Sequence, residues 1–180
     1  MKARSILPLI TTLALATTSL AAQAPKVPAA CQPMIDAQRK STSVPHHVYS
    51  TAGSGRAGDK ATTSELISTG NAIYILMNGK WKRSPMTTKE ALAQIDENLA
   101  GAKVFTCQHV GDEPVAGVAA AVYTGHSEND GINADSRIWI AKGSGLVLRT
   151  EGDVDMGGGD KSHMSARYEY TNVQAPAGVK

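Results

Sequence analysis

The sequence predicts an α+β fold in which one curved antiparallel β-sheet forms an incomplete barrel with helices on its concave side. First, apolar and polar residues alternate with period two over most of the chain, as in strands with one buried face. The clearest such segment is 162–173, where Met164, Ala166, Tyr168 and Tyr170 alternate with polar residues. Second, apolar residues have helical spacing in only two short segments. Turn-forming residues separate the segments that alternate with period two.

Residues 1–24 are predicted to be a secretory signal peptide. Lys2 and Arg4 precede an uncharged apolar run, small residues follow that run, and we expect cleavage near Ala22. The alternative is a membrane anchor, but a membrane span needs about 20 apolar residues and this run is shorter. We therefore expect an exported, periplasmic product with a single domain over 25–180.

The charge balance argues against a nucleic-acid-binding protein. The chain has 180 residues, with 18 basic and 16 acidic residues and a formal net charge of +2. Lys2 and Arg4 account for the excess, so the cleaved product is expected to be neutral. A neutral chain lacks the basic surface that holds nucleic acid. We expect recognition by shape and apolar contact, only transient contact with membrane surfaces, and a monomer.

The two cysteines, Cys31 and Cys107, are expected to form a disulfide. An even number of cysteines in an exported chain indicates pairing. Alternation places Cys107 on the same strand face as Phe105, toward the expected core, where a helix carrying Cys31 can reach it. The alternative is lipid attachment at Cys31, because two alanines precede it, but a proline stands where a lipobox has leucine.

The N-terminal half is predicted to be a helix followed by strands. Pro33 suits a first helical turn and a thin apolar stripe follows it, which predicts a helix over 30–40. Alternation then predicts strands over 44–50, 62–69 and 71–77, continued over 80–83 beyond the turn Asn78-Gly79. The turn 53–59 matches the pattern G-x-G-x-x-G, but a strand rather than a helix follows, which favours a hairpin loop over a nucleotide site.

A second helix is predicted over 88–100. Thr87 and Glu90 have the spacing of a capping box. Three apolar side chains then fall on one helical face: Leu92, Ile95 and Leu99. Five further strands are predicted over 103–110, 115–126, 137–142, 146–155 and 162–173, with turns at 111–114, 129–131, 143–145 and 157–160.

Residues able to catalyse a reaction or bind a metal form no recognisable pattern in the sequence. The five histidines lack the spacings of zinc motifs. Glu151, Asp153 and Asp155 share a strand face, where a solvated face is favoured over weak calcium binding. The nucleophile motif G-x-S-x-G does not occur. We expect a protein that is not an enzyme and that uses neither metal nor cofactor.

Four features of the chain are similar to those of one protein superfamily. A signal sequence leads into a short helix, and a strand, a turn and an aromatic residue follow over 72–81. Strand pairs are expected at 136–141 and 145–151, and the closing strand 168–173 precedes a Pro-x-Gly-Val tail. These features resemble the periplasmic lipoprotein-carrier superfamily with the LolA/LolB-like fold, over most of the chain beyond the signal. The resemblance implies an incomplete β-barrel that encloses an apolar cavity for acyl chains of lipoproteins or other lipids.

The resemblance also implies which side chains line the cavity. The candidates are Ile73, Ile75, Met77, Trp81, Phe105, Trp139, Met164, Tyr168 and Tyr170. The expected function is to bind or carry a lipid or other apolar ligand. The alternative is a non-catalytic interaction or structural module of the envelope with a filled core and a protein partner, which the 4% aromatic content and the neutral charge favour. A cavity of about 300 Å³ or more between the 88–100 helix and the sheet would favour ligand binding.

Overall fold

A computed structural model describes residues 27–54, 60–157 and 161–179. The predicted signal peptide and most of the turns 53–59 and 157–160 lie outside these residues. A short 3-10 turn (Ala29–Cys31) leads into the elements of the fold, which are α1 (Gln32–Ser43), β1 (His46–Ser54), β2 (Thr62–Ser68), β3 (Ile73–Met77), β4 (Lys80–Arg83), α2 (Thr88–Gly101), β5 (Val104–Val115), β6 (Val118–Asn129), β7 (Ile132–Ala141), β8 (Val147–Asp155) and β9 (Lys161–Glu169). Within these ranges no helix has the length and apolar character needed to cross a membrane.

The nine strands form one antiparallel sheet that does not close. Their order across the sheet is β4-β3-β2-β1-β9-β8-β7-β6-β5, so the last strand of the chain lies beside the first. Strands β4 and β5 form the two edges. The predicted α+β fold, a curved antiparallel sheet in the form of an incomplete barrel with helices on its concave side, is confirmed.

The predicted turn at 111–114 is wrong, because β5 continues through it to Val115. A register shift between His109 and Gly111 absorbs one residue, and Gly111 has φ of 142°, which only glycine adopts readily. Pro114 pairs with Ala119 on this edge strand, where a missing N–H is tolerated. The reversal comes after the predicted turn, at 116–117.

Other strands also begin or end at positions that differ from the predicted ones, and β1 continues to Ser54 rather than ending at 50. β7 begins at Ile132 rather than 137, because Asp130 and Gly131 both have positive φ and form a tight hairpin turn that pairs Asn129 with Ile132. β9 ends at Glu169 rather than 173. The tail beyond it is not a strand, but Val173 and Val179 pack against a cluster on β2 and β3.

Helix α1 packs on the concave face over β7 and β8. Met34 and Ala37 contact Ile138, Ile140 and Val147, and all five side chains are buried. The small residues of β6 allow this approach, since a Cβ at Gly125 would lie 3.0 Å from the Met34 methyl carbon.

The predicted disulfide between Cys31 and Cys107 is confirmed. Cys31 is fully buried at the start of α1, and Cys107 lies on β5. The bond therefore joins the helix to an edge strand 76 residues away in the sequence.

The outer face of the sheet has its own packed cluster. Trp139 is 2% exposed and packs with Ala120 and Val122 of β6. Because successive strand residues point to opposite faces, Trp139 lies on the side of β7 away from α1, which contacts Ile138.

Replacing both cysteines, as Cys31→Ser with Cys107→Ser, is expected to lower the free energy of unfolding by about 4 kcal/mol, because the bridge closes a long loop in the unfolded chain. Urea denaturation of the oxidised wild type and of the double variant measures the difference. A reductant should lower the unfolding midpoint of the wild type and leave that of the variant unchanged. A wild-type midpoint that does not respond to reductant would contradict this expectation.

Candidate functional site

A cavity lies between α2 and the concave face of the sheet. Its volume is about 460 Å³, within the range of about 300–1,000 Å³ that is typical of ligand pockets. It is half enclosed, and both helices and five strands contribute to its wall. The lining residues are Gln38, Ser41, Thr42, Ile95, Asn98, Leu99, Ala102, Phe105, Ser127, Asn129, Ile132, Ala134, Val147 and Tyr168.

Helix α2 covers this cavity without filling it. No residue of α2 is buried, and the predicted apolar stripe, from Leu92 to Leu99, is only half-buried. Polar contacts hold the helix in place: Thr88 Oγ1 donates to the Gly70 carbonyl oxygen at 2.9 Å, and Asp96 forms an ion pair with Arg39 of α1. The apolar stripe therefore borders open space rather than a packed core.

The predicted capping box at the start of α2 is confirmed. Thr87 Oγ1 accepts from the Glu90 backbone N–H at 3.2 Å, and Glu90 Oε2 accepts from the Thr87 backbone N–H at 2.7 Å. The backbone N–H and the hydroxyl of Thr87 both donate to the Glu90 carboxylate and hold its pKa below its usual value. The carboxylate is thus charged at the helix N-terminus, where the helix dipole stabilises a negative charge.

The residues described as lining the cavity are all uncharged. Apolar side chains come from α2 and from the sheet: Ile95, Leu99, Phe105, Ile132, Val147 and Tyr168. Amide and hydroxyl groups come from α1, α2 and β6: Gln38, Ser41, Thr42, Asn98, Ser127 and Asn129. An ion buried without a partner is costly, so this wall suits an uncharged and largely apolar molecule.

A second, smaller cavity of about 230 Å³ adjoins the first on the concave face. Gln38 and Tyr168 line both cavities and therefore stand at their junction. The remaining residues of the smaller cavity come from α1, β1, β7, β8 and β9: Met34, Ser50, Ser136, Arg137, Ile138, Thr150, Glu151, Gly152, Met164, Ser165 and Ala166.

Buried polar groups lie beneath the end of α1, next to the main cavity. Ser41 Oγ accepts from the Val147 backbone N–H at 2.9 Å, and the Tyr170 hydroxyl donates to the Val147 carbonyl oxygen at 2.6 Å. Burial raises the pKa of Tyr170 well above its usual value. His46 is 7% exposed and its Nδ1 donates to the Val44 carbonyl oxygen at 2.8 Å, while burial lowers its pKa. These groups are therefore uncharged at neutral pH.

Some of the predicted cavity residues lie at these cavities. Phe105 and Tyr168 line the main cavity, and Met164, 49% exposed, lines the smaller one together with Tyr168. Tyr170 follows β9, and its ring lies 6.4 Å from that of Tyr168. Whether any of these side chains contacts a ligand stays a prediction.

The other predicted residues lie elsewhere on the sheet. Ile73, Ile75 and Met77 belong to β3, three positions from β9 in the sheet. Trp81 pairs with Leu76 and packs on the outer face beside Tyr74, where its ring is 6.1 Å from that of His47. Trp139 lies on the outer face as well, for the reason given above.

Sequence reasoning missed several residues that line the main cavity. Ile132 and Ala134 fell outside the predicted strand, because polar residues interrupt the alternation around them. Ile95 and Leu99 were recognised only as the apolar face of a helix. Their half-burial depends on how far α2 stands from the sheet, and no local pattern encodes that distance.

Trp139 on the outer face is stacked between two arginines. The guanidinium carbons of Arg137 and Arg149 each lie 4.8 Å from its ring centroid. Its Nε1 donates to Glu113 Oε2 at 3.2 Å. Along the same face Arg167 lies over the Tyr49 ring at 4.3 Å. Cation–π contacts of this kind contribute about 0.5–1 kcal/mol each at exposed sites.

The acidic residues of β8 have ionic partners. Glu151 pairs with Arg149, Asp153 Oδ1 lies 2.9 Å from His163 Nδ1, and Asp155 Oδ2 lies 3.9 Å from Lys161 Nζ. Among the described side chains, no group of three or more His, Cys, Asp or Glu is arranged to hold a metal ion.

Comparisons with known proteins find a likeness in fold. No model of a protein family matches the chain, and no curated protein matches it. Mycobacterium tuberculosis lipoprotein LppX is 13% identical, with a TM-score of 0.45 over 84% of this chain and 100% of its own. MucB in the Pseudomonas aeruginosa MucA/MucB complex is 12% identical, with a TM-score of 0.44 over 81% of this chain and 58% of its own.

A LolA superfamily protein from Nitrosomonas europaea, NE2245, is 6% identical, with a TM-score of 0.27 over 82% of this chain and 96% of its own. At these identities the likeness concerns the fold alone.

The substitution Thr87→Ala is expected to destabilise α2 by about 1 kcal/mol, because it removes the capping side chain of a helix that has no buried residue to compensate. Hydrogen–deuterium exchange resolved by segment measures the effect, with faster exchange expected over α2. Ser43→Ala, at an exposed position near the end of α1, serves as the control and should leave α2 unchanged. Unaltered exchange in α2 of the Thr87→Ala protein would count against the cap.

Lowering the pH from 7 to 5 is expected to destabilise the protein through His46 and to stabilise it through His126. The folded pKa of His46 lies below its ordinary value of 6.5, so the unfolded chain takes up the proton first and the free energy of unfolding falls with the pH. Hydrogen bonds that His126 donates to the carboxylates of Asp135 and Glu128 raise its pKa. The stabilisation by His126 is therefore fully present below the pKa that this histidine has in the unfolded chain. It is lost as the pH rises through the higher pKa of His126 in the folded protein.

The variants His46→Gln and His126→Gln separate the two histidines. Urea unfolding at several pH values between 5 and 8 should show a weaker loss of stability at low pH for His46→Gln and a stronger loss for His126→Gln. If His46→Gln kept the pH slope of the wild type, the assignment to His46 would be wrong.

Proposed function

We propose that this protein binds a lipid or other apolar molecule in the cavity between α2 and the sheet. The observation that carries the proposal is a half-enclosed space of about 460 Å³ whose lining residues are uncharged and largely apolar. With 1–24 as the signal peptide that the sequence predicts, this binding takes place in the periplasm.

The energetics of the wall favour an apolar occupant. Each methylene group transferred from water to such a wall contributes about 0.8 kcal/mol. Leu99 and Ile95 are half-buried, so a bound chain covers apolar surface on α2 as well as its own. Strands β6 to β9, which form most of the floor, each lie between two hydrogen-bonded neighbours, so the floor is formed before binding.

The cavity favours ligand binding over the alternative of an interaction module with a filled core. Its volume exceeds the value of about 300 Å³ that separates the two hypotheses. A filled core would also bury the apolar stripe of α2, whereas no residue of that helix is buried.

The substitution Ala134→Trp tests the proposal, because it places a large side chain in the cavity from the rigid strand β7. Titration with the neutral dye Nile red, followed by its fluorescence, should show binding to the wild type and at least a tenfold weaker affinity in the variant. Native mass spectrometry of protein purified from its own host should show a bound lipid that the variant lacks.

Ala119→Trp is the matched control. Ala119 is exposed near the start of β6 and lines neither cavity, so its replacement should leave dye binding unchanged. Absence of dye and lipid binding in the wild type would reject the proposal. Equal losses in both tryptophan variants would show that the dye binds elsewhere.

A further inference from the structure

We propose that the ligand is an amphiphile with an uncharged, hydroxyl-bearing head group. Its apolar chain occupies the main cavity and its head group occupies the smaller one. This inference rests on the proposed function and specifies the chemical class of its ligand.

The two cavities form one path along a single side of α1. Met34 lines the smaller cavity, Gln38 lines both, and Ser41 and Thr42 line the main one. These positions are spaced four, seven and eight residues from Met34, so they share one helical face. Tyr168 borders the path from the sheet side at the same junction. A single molecule can therefore extend from one cavity into the other past Gln38.

The strands contribute hydroxyl groups and small residues to the smaller cavity, beside the larger apolar side chains of Met34, Ile138 and Met164. The pairing register places Ser50 and Thr150 opposite Ala166, and Ser136 opposite Gly152. These five residues lie on the same face of the sheet as Tyr168, because Tyr168 comes two residues after Ala166 on β9 and side chains two residues apart on a strand share a face. A hydroxyl both donates and accepts hydrogen bonds, so this lining complements a head group that carries hydroxyls of its own.

The two charged residues that border the smaller cavity have ion-pair partners on the outer face of the sheet. Arg137 Nη2 lies 3.2 Å from Glu113 Oε2, and its guanidinium lies over Trp139 on the outer face. Glu151 pairs with Arg149. At the main cavity, Arg39 pairs with Asp96. A carboxylate or phosphate head group would lose its hydration here without gaining a counterion, whereas a neutral head group would keep its hydrogen bonds.

Competition among amphiphiles of equal chain length tests the proposal. Octyl β-D-glucoside, octanoate and octyl sulfate, each kept below its micelle concentration, would displace Nile red from the purified protein. We expect the glucoside to displace the dye at a concentration at least tenfold lower than either anion. Octanoate or octyl sulfate binding as tightly as the glucoside would overturn the proposal.

The double variant Ser50→Ala with Ser136→Ala removes two hydroxyls from the smaller cavity. Its affinity for octyl glucoside should fall at least fivefold, while its affinity for Nile red stays that of the wild type. Thr51→Ala with Thr63→Ala is the control, because these paired threonines are exposed on the opposite face of β1 and β2.

The outcomes separate this proposal from the one on which it rests. Equal glucoside affinity in both double variants would reject the head-group assignment and leave apolar binding intact. No displacement of bound dye by the glucoside would reject it too. A wild-type protein that binds no Nile red would reject the apolar site itself, and the head-group assignment with it.

Discussion

The attachment of α1 to the middle of the concave face is the constraint on which the rest of the structure depends. The disulfide fixes the start of α1 to β5, Met34 and Ala37 pack on β7 and β8, and Ser41 accepts a hydrogen bond from Val147. With that position taken, α2 contacts α1 but does not reach the floor of the sheet. The cavity is the space that this arrangement leaves. Any molecule that binds there only in the folded state would stabilise the fold by mass action.

Helix α2 can stand away from the sheet because its local sequence stabilises it. Most helices in folded proteins depend on packing of an apolar face, and α2 lacks that support. Its capping box satisfies backbone donors at the N-terminus, and Thr88 and Asp96 tie it to the loop before β3 and to α1. One of these contacts pairs Asp96 with Arg39, the charged residue next to Gln38 of the cavity wall. The residues that line the cavity are therefore uncharged. The stability of the helix and the uncharged wall of the cavity thus come from one set of polar contacts.

Local patterns were sufficient to predict the elements, and insufficient to predict the cavity. The capping box located α2 to within one residue, and the cysteine count predicted the disulfide. The turn at 111–114 was misjudged because a glycine bulge and an edge proline keep the pairing intact through residues that ordinarily end a strand. Alternation shows which residues share a face, but not which face α1 covers. Trp81 and Trp139, which the family resemblance implied as cavity residues, lie instead on the outer face, where arginine and glutamate side chains cover Trp139.

That outer face separates two demands that usually conflict within one core. A ligand site needs open volume and adaptable walls, whereas a stable sheet needs dense packing. Here the stacked arginines, the buried Trp139 and the cross-strand ion pairs stabilise the sheet from the side away from the two cavities. Substitutions that change the lining of the concave face therefore leave this packing intact. A scaffold built in this way can acquire new ligand preferences by successive changes on one face, without losing its folded state at each step.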